Sequence, residues 1–231
     1  MKTIKIVLFS LHIAFNFIML YSEMKLSFFA MSIMLVFISV SAAIHLCAHE
    51  CGHLIGGLAS GYKLVCLQVG PINLAVDKSK KIVFSLQHTH GGQCIMLPPK
   101  TGIIRFKAYT LGGIYANVFI SVISLPLLLF DSFYTTLFFI QLLFIGIIKI
   151  IINLFPTINH DIPNDGYVLR LLSHNAAVQK DYVFYLSLYA SLFKNESISP
   201  SEYLYVRELP KNEAELLYYN GIQNLLKTIK E

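Results

Sequence analysis

Four long apolar stretches constrain the fold of this chain more than any other feature. Each approaches the ~20 apolar residues that a helix needs to cross the hydrocarbon core of a bilayer. Only 13% of the 231 residues are charged, whereas a soluble domain has about 25%. The sequence therefore predicts an all-α polytopic membrane protein with about four transmembrane helices. Their approximate bounds are Ile4–Tyr21, Leu26–Ala48, Tyr109–Phe130 and Thr135–Phe155.

The first stretch follows Lys2 and Lys5, as the apolar region of a signal peptide would. No small-residue cleavage site follows it, so we expect this segment to be retained as a transmembrane helix.

The distribution of lysine and arginine predicts the orientation in the membrane. The loop around Asp131, between the third and fourth stretches, has no basic residue. Basic residues instead concentrate between the second and third stretches, which places that segment and both termini in the cytoplasm of a multi-pass cell-membrane protein. The formal net charge of +5 is explained by this inner membrane face, so no nucleic-acid partner is expected. The basic residues concerned are Lys63, Lys78, Lys80, Lys81, Lys100, Arg105 and Lys107.

A short motif that is typical of zinc enzymes ends the second stretch. His49 and His53 are one helical turn apart, so both imidazoles can bind one Zn²⁺ while Glu50 serves as general base towards a water molecule. A charged or ionisable residue within a membrane-spanning helix is costly and usually has a function. We therefore expect Glu50 to be catalytic and the two histidines to be metal ligands. The motif reads His49-Glu50-Cys51-Gly52-His53.

A catalytic zinc site normally has a third protein ligand. No glutamate occurs between His53 and Lys194, and among the aspartates only Asp161 and Asp165 lie just past the cytoplasmic end of the fourth stretch, since Asp181 belongs to the tail. Straight-helix geometry disfavours His45 as the third ligand, because it lies about 12 Å from His53 along the helix axis. We expect it to be a hydrogen-bond donor behind the ligands or to line a water path.

Residues 63–97 have short β-prone runs separated by turn signals, which predicts a small membrane-associated sheet. After residue 173 the composition becomes polar and rich in tyrosine. We therefore divide the chain into a membrane-embedded domain, 1–173, and a helical cytoplasmic tail, 174–231. The four cysteines lie at the inner half of the membrane or in the cytoplasm, where disulfides are not expected.

Several motifs together resemble the site-2 proteases, the intramembrane zinc metalloproteases. That family pairs H-E-x-G-H with a later N-x-x-P and an aspartate-glycine pair. Two weaker likenesses lie between them, to a G-G-Y-V-x-M loop and a G-P-x-A-N helix. The matching segments are His49-Glu50-Cys51-Gly52-His53, Gly91-Gly92-Gln93-Cys94-Ile95-Met96, Gly113-Ile114-Tyr115-Ala116-Asn117, Asn153-Leu154-Phe155-Pro156 and Asp165-Gly166-Tyr167.

The resemblance implies a small bacterial zinc endopeptidase that hydrolyses transmembrane or leader-peptide-like substrates within the bilayer. It implies that Glu50 is catalytic, that Gly92, Asn117 and Asn153 bind substrate, and that an edge strand of the sheet holds the unwound peptide. The family spacing favours Asp161 as third ligand, whereas the following glycine favours Asp165. We predict Asp165, because Asn164-Asp165-Gly166-Tyr167 can form a tight turn in which glycine permits the backbone angles.

Three of these interpretations have alternatives. Asn117 could pair with an adjacent helix instead of substrate, and Asn153 could cap carbonyls that Pro156 frees at the end of the fourth helix. A non-enzymatic membrane protein that binds a peptide or confers immunity could also use this scaffold, although it would have no need of Glu50 as a base.

Overall fold

The computed structural model describes residues 2–24, 28–77, 79–86, 91–99, 105–129, 132–159, 162–174 and 176–193. The described part is mostly helical, with one small antiparallel sheet, as predicted. Four long helices correspond to the four apolar stretches. They are α1 (Lys2–Met24), α2 (Phe28–Ala59), α3 (Phe106–Leu127) and α4 (Phe133–Leu154).

Three of the long helices, α2, α3 and α4, are long and apolar enough to cross a membrane. They pack against one another, and α2 is the longest, with 32 residues. Because α2 continues past the predicted end at Ala48, the His49–His53 motif lies within its last three turns. The three helices are compatible with a multi-pass membrane protein.

The first helix differs from the prediction. Although α1 has 23 residues, its described apolar stretch is the shorter Thr3–Met19. It contacts α4 through a hydrogen bond from Gln141 Nε2 to Asn16 Oδ1, 2.6 Å long, and through stacking of Phe15 on Phe144. Side-chain amides that pair between helices are typical of membrane bundles, but the fourth crossing stays a prediction.

The sheet lies between α2 and α3 in the sequence and has the strand order β3-β2-β1-β4. All pairings are antiparallel, and a bulge interrupts the β1–β4 register between Leu64 and Cys66. β1 and β4 bury their central residues, whereas β3 is an edge strand with exposed apolar side chains. The strands are β1 (Lys63–Val69), β2 (Ile72–Val76), β3 (Ile82–Leu86) and β4 (Gly92–Leu97).

A short β-hairpin and two more helices follow α4. They are β5 (Ile158–Asn159), β6 (Ile162–Pro163), α5 (Asp165–His174) and α6 (Ala176–Phe193). Buried residues of α5 and α6, such as Leu172 and Val178, share a hydrophobic core with β1, β4 and the start of α3. The start of the predicted tail therefore packs against the sheet, and the rest of that tail, 194–231, lies outside the described residues.

Candidate metal centre

Side chains of His49 and His53 on α2 and Asp165 on α5 converge on one point. Their ligand atoms all lie within 4.8 Å of one another. His49 Nε2 is 3.2 Å from His53 Nε2 and 3.1 Å from Asp165 Oδ2, and His53 Nε2 is 3.3 Å from Asp165 Oδ1. The side chains are mostly buried, with exposed fractions of 12%, 10% and 18% for His49, His53 and Asp165.

These distances fit a metal ion. Four ligands that bind zinc tetrahedrally at 2.0–2.1 Å lie about 3.3 Å from one another, close to the three separations above. Asp165 Oδ2 is buried and receives no well-aligned hydrogen bond from the described residues. Two imidazole nitrogens and a carboxylate therefore meet without a well-aligned hydrogen bond to Asp165 Oδ2. Such a set of atoms could hold a metal ion.

Electrostatics keep Asp165 ionised at this position. Burial alone would raise the pKa of its carboxyl group, but the adjacent imidazoles of His49 and His53 outweigh burial and lower the pKa to about 2. The carboxylate is therefore deprotonated at neutral pH, as a metal ligand must be.

Asp165 is positioned by the start of helix α5 and not by the tight turn predicted from the sequence. Asn164 caps α5, because its Oδ1 accepts from the backbone N–H of Tyr167 at 3.0 Å. Its Nδ2 also donates to the carbonyls of Ile152 and Phe155 at the end of α4, at 2.6 and 2.7 Å. The side chain of Asn164 thus joins the two helix ends that bracket the ligand.

Glycine is required at position 166 because there is no space for a side chain. The backbone angles predicted from the sequence are not the reason. Among the described glycines only Gly61 and Gly70 have positive φ. A Cβ on Gly166 would instead overlap the carbonyl of Leu154. Glycine therefore lets α5 start directly against the end of α4, within reach of the α2 histidines.

Each candidate histidine ligand has a partner on its other ring nitrogen. His53 Nδ1 donates to the Tyr109 carbonyl on α3 at 2.8 Å. His49 Nδ1 lies 3.2 Å from the side-chain amide of Asn117, also on α3. Such outer contacts fix the ring orientation of metal-binding histidines.

Glu50 points into the same site. It is only 5% exposed, and it lines a cavity of about 870 Å³ together with His49, His53 and Asp165. Gly92 at the start of β4 packs against it, because a Cβ there would overlap the Glu50 carboxylate. The catalytic and ligand residues predicted from the motif are thus brought to one cavity.

The other predicted site residues have different positions. Gly92 and Asn153 line the cavity, whereas Asn117 is completely buried behind His49. Asn153 Nδ2 donates to the Lys149 carbonyl one turn earlier at 3.1 Å, and Asn164 satisfies the carbonyls that Asn153 was expected to cap. Substrate binding by these residues stays a prediction, and Asp161 lies outside the described residues.

Three residues near the site were not identified from the sequence. Asn164 caps the ligand helix, and the Tyr109 hydroxyl donates to the Cys94 carbonyl, which ties α3 to β4. Lys149 is the only charged residue of α4 and lines the cavity. An unexplained charge within an apolar span was a signal that could have identified Lys149.

Comparisons with known proteins leave the family open. No protein-family model, no curated protein and no solved structure matches this chain. The functional argument therefore rests on the residues and their geometry: a His-His-Asp cluster that could hold a metal ion, next to a buried glutamate, on helices that are apolar enough to span a bilayer.

Proposed function

We propose that this protein is an intramembrane zinc endopeptidase of the site-2 protease type, which hydrolyses transmembrane or leader-peptide-like substrates. The observation that carries the proposal is the convergence of His49, His53 and Asp165 beside Glu50 at the end of the apolar helix α2. This donor set, two imidazoles and one carboxylate with a glutamate adjoining, is the set used by zinc peptidases that activate water.

Each residue has a role in the proposed reaction. A zinc ion held by the three ligands would polarise the scissile carbonyl and activate a water molecule. Glu50 accepts a proton from the water as general base and delivers it to the departing amine as general acid. Burial of Glu50 in the cavity wall, against Gly92, holds its carboxylate in position for both transfers.

Lys149 supports the same chemistry electrostatically. Lys149 lines the cavity and its positive charge acts on Glu50, and it forms no ion pair with any residue that the structure describes. A cation here stabilises the negative charge that develops on the substrate carbonyl oxygen during attack.

The sheet offers a binding surface for an extended peptide. β4 pairs with β1 on one side, and its first residues, from Gly92 to Cys94, line the cavity. A substrate helix must unwind before its carbonyl reaches the ligands, because helical carbonyls are hydrogen-bonded. Strand addition at the β4 edge would compensate those lost hydrogen bonds.

The test uses the full chain reconstituted in zinc-replete liposomes with a panel of fluorescently labelled single-span and leader peptides. We expect the wild type to cleave at least one peptide, Glu50→Gln to retain bound metal but lose cleavage, and His49→Ala to lose both. Metal content is measured by mass spectrometry on the same samples. Equal cleavage by wild type and Glu50→Gln, or cleavage by neither across the panel, would count against a peptidase and favour a peptide-binding protein.

A further inference from the structure

A chain of buried polar groups lies behind His49 and connects three helices. His45 on α2 has its Nε2 2.8 Å from the Leu142 carbonyl of α4. The two terminal atoms of the Asn117 amide, on α3, lie 3.1 Å from His45 Nδ1 and 3.2 Å from His49 Nδ1. His45 and Asn117 are both completely buried, so these hydrogen bonds have no competition from solvent.

The protons available on these polar groups determine which atom donates and which accepts in each hydrogen bond. A carbonyl can only accept, so the proton of a neutral His45 is on Nε2 and its Nδ1 must accept a hydrogen bond. Only the NH₂ group of Asn117 can donate to it, which leaves the Asn117 oxygen facing His49 Nδ1. His49 then carries its proton on Nδ1, and its Nε2 presents a lone pair towards Asp165.

The structure has Oδ1 of Asn117 beside His45 and Nδ2 beside His49, but this amide orientation has two chemical costs. It requires a doubly protonated, charged His45 within an apolar bundle, which is unfavourable. It also has Asn117 donate to His49 Nδ1, which moves the His49 proton to Nε2, the atom that faces His53 and Asp165. Oxygen and nitrogen of an amide are assigned from the hydrogen-bond network, and the network favours the oxygen on the His49 side.

His53 shows the same arrangement with a main-chain partner. Its Nδ1 donates to the Tyr109 carbonyl at 2.8 Å, so its Nε2 is also free to bind a metal. The two ligand rings therefore have matching tautomers, one set by backbone and the other by side chains. Only the side-chain arrangement can be removed by substitution.

Two glycines make room for this chain of hydrogen bonds. A Cβ on Gly146 of α4 would lie 2.6 Å from Cε1 of His45, and one on Gly113 of α3 would lie 2.6 Å from Nδ1 of His49. Helices α3 and α4 thus pack closely against the two rings.

We propose that His45 and Asn117 form a tautomer relay, anchored on the Leu142 carbonyl, that holds His49 with Nε2 free to bind the metal. Both are positioning residues. The relay rests on the metal centre of the proposed function and not on peptide cleavage. It also gives His45 a more specific role than the sequence did: a donor to α4 and an acceptor from Asn117.

The first test measures affinity for Co²⁺ by visible absorption on the purified full chain, with a competing chelator. Loss of a partner to a ligand histidine typically weakens metal binding about 10–100-fold, and we expect this for Asn117→Leu. Asn117→Asp, which still accepts from His49, should bind within a few-fold of wild type. Ser124→Ala is the matched control, because it removes a buried hydrogen bond on α3, to the Ser121 carbonyl, two turns from Asn117.

The relay is overturned if folded Asn117→Leu binds Co²⁺ as tightly as Ser124→Ala, or if Asn117→Asp loses as much affinity as Asn117→Leu. A second measurement is made on the wild type itself. In ¹⁵N-histidine-labelled wild type loaded with zinc, the ring shifts should show His45 protonated on Nε2 alone, with the signal assigned by its absence in His45→Gln. A signal from a doubly protonated His45 would also overturn the relay. Neither measurement requires cleavage, so failure of the peptidase proposal is scored separately.

Discussion

At the scale of single residues, the site depends on a few side chains that each satisfy several neighbours. Asn164 contacts the end of α4 and caps α5, and so fixes the position of Asp165. Tyr109 orients His53 through its carbonyl and holds β4 through its hydroxyl. Because these contacts join segments that are far apart in the sequence, motif spacing could predict the ligands but not what orients them.

The choice between the two candidate aspartates can be tested directly. Asp165→Ala should lower the bound zinc from about one ion per chain to near zero, because two histidines alone form an incomplete site. Asp161→Ala is the control and should retain zinc. Metal content is measured after dialysis against a weak chelator, and retention by Asp165→Ala together with loss by Asp161→Ala would reverse the assignment.

Lys149 gives a prediction about charge within the cavity. Lys149→Met should lower kcat/KM on the best peptide of the liposome panel by about 10²-fold, the loss expected when one preorganised charge-stabilising group is removed. Lys149→Arg keeps the charge and should retain most of the activity. Equal rates for Lys149→Met and Lys149→Arg would show that the ammonium plays no electrostatic part.

At the scale of elements, close packing of α2 against α3 determines where the ligands lie. Gly52 and Gly56 are one turn apart on α2 and contact the backbone of Gly112 and Ala108 on α3. Small residues at this spacing let two membrane helices approach closely. The spacing of Gly52 and Gly56 can be read from the sequence. It does not identify α3 as the partner, because any of the apolar helices could pack against these glycines.

The packing predicts a steric penalty at Gly56. Gly56→Ala places a Cβ against the Ala108 carbonyl and should destabilise the protein by about 1–3 kcal/mol. Gly91→Ala is the matched control, because no atom lies within 4 Å of the added Cβ. Thermal unfolding in detergent compares the two variants, and an equal midpoint for both would contradict close contact of α2 with α3.

At the scale of the whole molecule, exposed apolar surface extends beyond the long helices to the sheet. The edge strand β3 exposes Ile82, Val83, Phe84 and Leu86 by 67%, 47%, 60% and 70%. Exposed apolar groups in such a row are typical of a membrane or partner contact. The predicted orientation, with the sheet and both termini on the cytoplasmic side, stays a prediction from the basic residues.

Contact of the sheet with lipid can be measured because the chain has no tryptophan. In liposomes, Phe84→Trp should emit at shorter wavelength and be quenched by lipids with brominated acyl chains. Lys81→Trp, just before β3 and also exposed, is the control and should emit as in water. Equal, weak quenching at both positions would place β3 outside the hydrocarbon.

The sequence by itself determined the apolar helices, the small sheet and the motif with His49, Glu50 and His53, because these follow from local hydrophobicity and helical spacing. It reduced the third ligand to two aspartates but could not place either. The tertiary structure brings Asp165 beside the two histidines, since its position depends on where α4 ends, how Asn164 caps α5 and how closely Gly166 lets the helices meet. It also paired His45 with Asn117, a contact between residues 72 positions apart that no local pattern contains.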